Sequence, residues 1–175
     1  MKVENKQFSK AAHSMSSLHT TLLQLLGIPY KWWDPNQSCA GDHGPFWAFN
    51  GPLPCRDDIE KGEMNCAGLI NLVCRSLGVS IPGADSNYYY AGGTKAWVLY
   101  LQQKNVLKPF QPWRIYPEGT LLLRDFRMEK EDEGHLAIYM GPNSIVHSWP
   151  EKGSCFDTIQ PGYYEFVCLP EDWMH

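Results

Sequence analysis

A chain of 175 residues with a formal charge of −4 and a pI near 5.8 is long enough for one substantial core and offers no electrostatic footing for a phosphate backbone. Charged residues make up 19% and aromatic residues 13%, a folded composition rather than a disordered one. Lys and Arg form no basic run and no apolar run reaches membrane-spanning length, so neither nucleic acid nor a transmembrane segment is expected.

Residues 1–13 read as a flexible lead-in without the apolar stretch of a signal peptide, which makes a cytoplasmic location the default and export by another route its alternative. The cysteines at 39, 55, 66, 74, 155 and 168 show no CxxC spacing, so reduced thiols are expected there. From Ser14 the series Met15, Leu18, Leu22, Leu25 and Leu26 predicts a helix that Gly27 stops. The segment 27–33 then leads into a long irregular region, of which residues 34–63 form an aromatic-rich insertion expected to fold around a small apolar cluster of its own. Cys39, His43 and Cys55 match no common zinc spacing, and no metal or other cofactor is expected; a Cys39–Cys55 disulfide would need an oxidising environment.

The stretch from Asn65 to Gly78 predicts the central helix. Cys66, Leu69, Ile70, Val73, Cys74 and Leu77 form one stripe, Asn65 can cap its start and Gly78 its end. Cys66 then lies in the first turn, where unpaired N–H groups and the positive end of the helix dipole favour thiolate. Cys66 also falls on the core stripe, and a free cysteine is commonly a small buried hydrophobe, so the nucleophile needs partners to be credible.

A turn-rich connection containing Tyr88 to Tyr90 precedes a second amphipathic segment, from Thr94 to before Pro109. From Gly119 the period changes: GTLLLRDF, GHLAIYM, SIVHSW and YYEFVCL have strand length and composition, and the charged piece 127–133 reads as a solvated connection. Helices followed by strands predict an α+β fold with helices packed on an antiparallel sheet.

In GHLAIYM, His135, Ala137 and Tyr139 share one face. A three-residue turn Gly-Pro-Asn before SIVHSW would set Met140 opposite Ser144 and bring His147 to the same face as His135, with the rings within hydrogen-bond reach. A two-residue turn would put the histidines on opposite faces. With the first register, Cys66 can attack a carbonyl, His135 can carry its proton to the leaving amine, and His147 can orient His135, with the Cys66 N–H as oxyanion donor.

Several segments, taken together, resemble the NlpC-type papain-like cysteine peptidases, which cleave cell-wall peptides. They are Gly27-Ile-Pro-Tyr30, Asn65-Cys-Ala-Gly-Leu69, Pro117-Glu-Gly-Thr-Leu121, His135-Leu-Ala-Ile-Tyr139 and Ile145-Val-His147. The likeness runs from about Gly27 to Trp149. It implies a single papain-like domain over 1–175, with the nucleophile helix and other N-terminal helices on an antiparallel sheet of about five or six strands. It also implies a triad of Cys66, His135 and His147, no metal, and hydrolysis of an amide in a peptide or acyl-amide substrate, often beside D-glutamate in a peptidoglycan stem peptide. Tyr30 matches a tyrosine near the nucleophile. Asn65 and Ala67 replace an acid and a serine that help bind a free peptide ammonium, which sets substrate recognition here apart from that of members needing one.

Two other functions are compatible with the same residues. An acyltransferase or thioesterase would use the same thioester, but the related lipid acyltransferases place their histidine before the cysteine, and here it follows. A non-catalytic binding module would leave Cys66 in the core, and a solvent-closed sulfur or histidine rings facing apart would point to it.

Overall fold

The structure is a computed structural model that describes residues 15–32, 47–84, 91–126 and 134–174. The lead-in, Cys39, His43, Tyr88 to Tyr90 and the 127–133 connection lie outside the described residues.

The first helix (α1, residues 15–25) buries Leu18, Leu22 and Leu25, the predicted stripe, and Gly27 follows it at φ +78, a left-handed geometry that glycine adopts without steric cost. Helix α2 (Arg56–Gly62) is short and lies inside the insertion. Helix α3 (Cys66–Leu77) starts at an Asn65 cap whose Oδ1 accepts the Gly68 N–H at 2.8 Å. It ends at Gly78, φ +69, where the Val79 N–H closes on the Cys74 carbonyl. Helix α4 (Thr94–Gln103) is tied to α3 through Asn71, which is fully buried yet satisfied. Its Oδ1 accepts the Trp97 indole N–H and its Nδ2 donates to the Gly92 carbonyl, both at 2.9 Å.

Strands β1 (Lys108–Pro109), β2 (Leu121–Arg124), β3 (His135–Tyr139), β4 (Ser144–Trp149), β5 (Gly153–Thr158) and β6 (Phe166–Cys168) form one antiparallel sheet in the order β1-β6-β2-β3-β4-β5. The chain closes with α5 (Pro170–Trp173). This is the expected α+β architecture. The sheet separates two apolar cores, which explains why the central strands read as continuous apolar runs rather than alternating ones. Leu121, Leu123, Leu136, Ile138 and Val146 face the helices; Leu122, Ala137, Tyr139, Ile145 and Val167 face the second core with Tyr116 and Tyr164.

Two features depart from expectation. Within the described part of the insertion, Trp47 and Ile59 join the helix-side core instead of a cluster of their own, because that core supplies the apolar surface a whole indole needs. Trp47 also donates its ring N–H to the Glu63 carbonyl at 2.7 Å. Strand β5 carried no clear sequence signal: it is an edge strand whose second half alternates exposed and half-exposed residues, so apolar periodicity is weak there.

Strand β5 also anchors the segment after α1. Gly27 N–H donates to the Ser154 carbonyl at 2.8 Å and Ser154 N–H to the Ile28 carbonyl at 2.9 Å. Gly153, φ +66, makes this approach possible, since an added Cβ would overlap the Ile28 carbonyl oxygen. Gly153→Ala is expected to cost about 3 kcal/mol, from backbone strain plus that overlap, read as a lower urea midpoint with unchanged slope. An unshifted midpoint would mean that the Ile28 strap is not held as described.

Candidate active site

The first turn of α3 sits where β3 and β4 part. Met140 N–H donates to the Ser144 carbonyl at 2.9 Å, and antiparallel alternation would send the N–H groups of Ile138 and then Leu136 toward β4 as well. The β3–β4 register is kept at Tyr139↔Ile145 and Ile138↔Val146, after which the Leu136 N–H bonds to the Cys66 sulfur instead. Ser148, which would face Leu136 in a continued ladder, sends its hydroxyl to the Met64 carbonyl at 3.2 Å. The strands open and the nucleophile candidate fills the gap.

Four donors surround that sulfur: the N–H groups of Leu136, Ala67 and Cys66 itself and the Thr94 side chain, from the start of α4. Each favours thiolate, yet burial outweighs them and pushes the thiol above its ordinary range. The expectation of a resting thiolate is therefore corrected, because desolvation at a residue only 5% exposed exceeds what the helix terminus supplies.

Met140 still pairs with Ser144 beyond the end of β3, so the turn has the three residues 141–143, with Asn143 at φ +59, and this puts the two histidines on one face. His135 Nε2 and His147 Nδ1 are 2.9 Å apart with the rings nearly perpendicular, at 89°. Both side chains are buried, at 5% and 4% exposure. Burial first, then the neighbouring His147 and Arg124, hold His135 down to about 3, so it is neutral at physiological pH. Burial also lowers His147, against the pull of Asp157.

Aromatic rings wall the pair. Trp149 stacks on His147 at 5.5 Å between centroids and meets His135 edge-on at 5.2 Å; Tyr163 lies 5.6 Å from His135, and the Arg124 guanidinium covers Tyr163 at 4.6 Å. Beyond His147, its Nε2 points toward Asp157, 3.6 Å from Oδ2. The Lys152 ammonium and the Thr158 N–H hold that carboxylate below the usual range.

The other expected site residues are placed as follows. Tyr30 is half-buried, its backbone bridged to Met64, two residues before Cys66, so the Gly-Ile-Pro-Tyr segment runs alongside the start of α3. Asn65 is buried and its carbonyl oxygen serves as the helix cap, while Ala67 is fully enclosed in the helix-side core. Thr94, Trp149, Tyr163 and Asp157 join the site without having been singled out from sequence. Only Asp157 carried a usable signal, as an acid two residues from Cys155 on a strand whose existence was itself not evident.

Among the described residues no helix is long and apolar enough to cross a membrane. Sequence comparison matches no family model and no curated protein. Solved structures do match. The P60 domain of M. avium paratuberculosis antigen MAP1272c superposes with a TM-score of 0.57 at 14% identity, over 93% of this chain and 97% of that one. The peptidoglycan hydrolase RipB from Mycobacterium tuberculosis gives 0.53 at 17% identity, over 91% and 66%. RipD from the same organism, described as a non-catalytic NlpC/p60 domain protein adapted to peptidoglycan binding, gives 0.52 at 15% identity, over 89% and 95%. With the six-stranded sheet, the capped Cys66 helix and the paired histidines in place, the chain has the fold of the NlpC/p60 family.

Proposed function

We propose that the protein is a thiol-dependent amide hydrolase that acts on a peptide, with a cell-wall stem peptide as the leading substrate class. The observation that carries this reading is the hydrogen bond between His135 Nε2 and His147 Nδ1, beside a cysteine whose sulfur is bonded to the next residue's N–H. Two imidazoles joined in this way leave His135 Nδ1 as the nitrogen that can take up a proton.

Because the resting thiol and imidazole are both neutral, proton transfer accompanies attack. The Cys66 S–H proton passes to His135 Nδ1 as the sulfur bonds to the substrate carbonyl carbon, and the oxygen gains the electron pair. His135 Nδ1–H then protonates the leaving nitrogen as the C–N bond breaks. Water then attacks the thioester carbonyl, giving one proton to His135 Nδ1, and as the C–S bond breaks His135 returns that proton to the Cys66 sulfur while the product carboxylic acid leaves. His147 Nδ1 accepts the His135 Nε2–H throughout, and the Asp157 carboxylate, 3.6 Å from His147 Nε2 and too far for a hydrogen bond, attracts that N–H electrostatically, so both interactions favour the same proton arrangement.

Asp157 is thus a positioning residue. Asp157→Asn is expected to lower kcat about tenfold with KM and the melting temperature unchanged, and to shift the acid limb of the kcat profile downward, since a carboxylate no longer supports the imidazolium. A fall in melting temperature matching the loss of rate would assign Asp157 a structural role instead.

The closed sulfur favours a second reading, a binding module that holds a cell-wall peptide without cleaving it. Incubating the full chain with defined peptidoglycan fragments and acyl peptides separates the two. Cleavage lost in Cys66→Ala supports the hydrolase, and fragment binding retained equally by wild type and Cys66→Ala, without cleavage, supports the module.

A further inference from the structure

We propose that His147 Nε2, Cys155 Sγ and a carboxylate oxygen of Asp157 form a site for a borderline-soft divalent cation, zinc above all, and that filling it switches the histidine pair off. The three donor atoms lie within 4.8 Å of one another. Four-coordinate zinc, with ligand bonds of about 2.0–2.3 Å, holds its donors roughly 3.3–3.7 Å apart, so side-chain rotations of about an ångström complete the set. The sheet register makes the grouping: His147 pairs with Cys155 across β4 and β5, and Asp157 lies two residues further along β5, on the same face.

An independent observation points to a ligand. His147 Nε2 is buried and has no hydrogen-bond partner among the described residues, with Asp157 Oδ2 at 3.6 Å. A buried ring nitrogen left in this state costs free energy that a bound cation would offset. Strand β5 forms the sheet edge and Cys155 is half-exposed, so the cation can enter from solvent and a water can take the remaining position. The donor chemistry is selective: a thiolate with an imidazole suits zinc, and hard cations such as magnesium want an all-oxygen set. Lys152 already pairs with Asp157 and competes, so the site fills only when the cation displaces that ammonium. On binding, the Cys155 thiol proton leaves to solvent, and no electron changes hands.

The switch itself rests on the hydrolase reading. A cation on His147 Nε2 leaves that ring's proton on Nδ1, from which it donates to His135 Nε2. The cation displaces the His147 Nε2 proton, the His135 Nε2 proton passes to His147 Nδ1, and His135 takes up one proton on Nδ1, so the pair keeps two protons and nothing remains on His135 to accept the proton of Cys66. Metal binding thus reverses the direction of the hydrogen bond between the two rings.

Cobalt(II), a spectroscopic stand-in for zinc, tests the site on the full chain through its sulfur-to-metal absorption. The band is expected in wild type, Cys55→Ser and Cys66→Ser, to disappear in Cys155→Ser, and to need at least tenfold more cobalt in Asp157→Asn. A band that persists in Cys155→Ser, or none in wild type, overturns the site. Zinc should slow iodoacetamide labelling of Cys66 in wild type and not in Cys155→Ser; equal protection in both overturns the switch by placing the metal on Cys66. A cobalt band that behaves as expected in a chain showing no hydrolysis would leave the site standing and remove the hydrolase reading alone.

Discussion

Cys66→Ala is expected to lower amide hydrolysis by about 10⁴-fold or more, with the far-ultraviolet circular dichroism spectrum unchanged. Alanine removes a small sulfur from a slot formed by the Leu136 N–H, the Thr94 side chain and the start of α3, and leaves α3's cap on Asn65 intact. The lost rate therefore reports chemistry rather than folding. His135→Ala should cost about 10³-fold, the usual range for a positioned general base. His147→Ala should cost less, since it steadies a ring that still has Trp149 and Tyr163 against it. Residues that act as one unit are strongly non-additive, so Cys66→Ala combined with His135→Ala should be little worse than Cys66→Ala alone. Additive losses, or hydrolysis surviving in Cys66→Ala, would show that the chemistry occurs elsewhere. Thiol labelling gives a second view. Cys74 and Cys168 are deeply buried, with Cys168 pushed up to about 12, so Cys66 should label ahead of both once the site opens to solvent.

Acid should destabilise the fold from a higher pH than carboxylates alone would set. His135 titrates near 3 when folded and near its ordinary 6.5 when unfolded, so between those values the unfolded chain binds more protons. The stability held by the buried neutral ring is fully present above about pH 6.5 and is lost progressively as pH falls toward 3. His147 is lowered too and adds in the same direction. Urea unfolding at pH 7.5 and 4.5, with a chelator present, should show a clear drop in wild type. His135→Gln, which does not titrate and keeps a hydrogen-bonding amide, should show a much shallower one. An equal drop in both would assign the acid sensitivity to other groups. Asp157 cannot mimic this result, because its carboxylate, lowered by Lys152, acts in a more acidic window.

The neutral resting state has a bearing on substrate as well. A buried thiol beside two uncharged imidazoles presents no net charge to the substrate, while Arg124 lies partly buried opposite His135 in the sheet register. Asn65 serves as the helix cap and Ala67 lies in the helix-side core. If the hydrolase reading holds, the substrate screen should include peptides blocked at their amino terminus as well as free ones.

Local and periodic features were legible without coordinates. The Asn65 cap, the Cys66 stripe and the Gly78 stop are backbone chemistry over a dozen adjacent residues, and helix α3 realises each of them. The pairing of His135 with His147 was legible as one of two registers, and the three-residue turn in the structure selects it. Strand β5 was not, since an edge strand with exposed residues needs no apolar alternation, and with it went Cys155 and Asp157. The protonation state was also decided in three dimensions. Helix-terminal donors act locally and can be read from Asn65 and Cys66, whereas desolvation sums over everything packed around the sulfur, including Thr94 and β3 from distant parts of the chain. Sequence determined where Cys66, His135 and His147 lie along their helix and strands; tertiary packing decided their charge, because burial is a property of neighbours that no local pattern encodes.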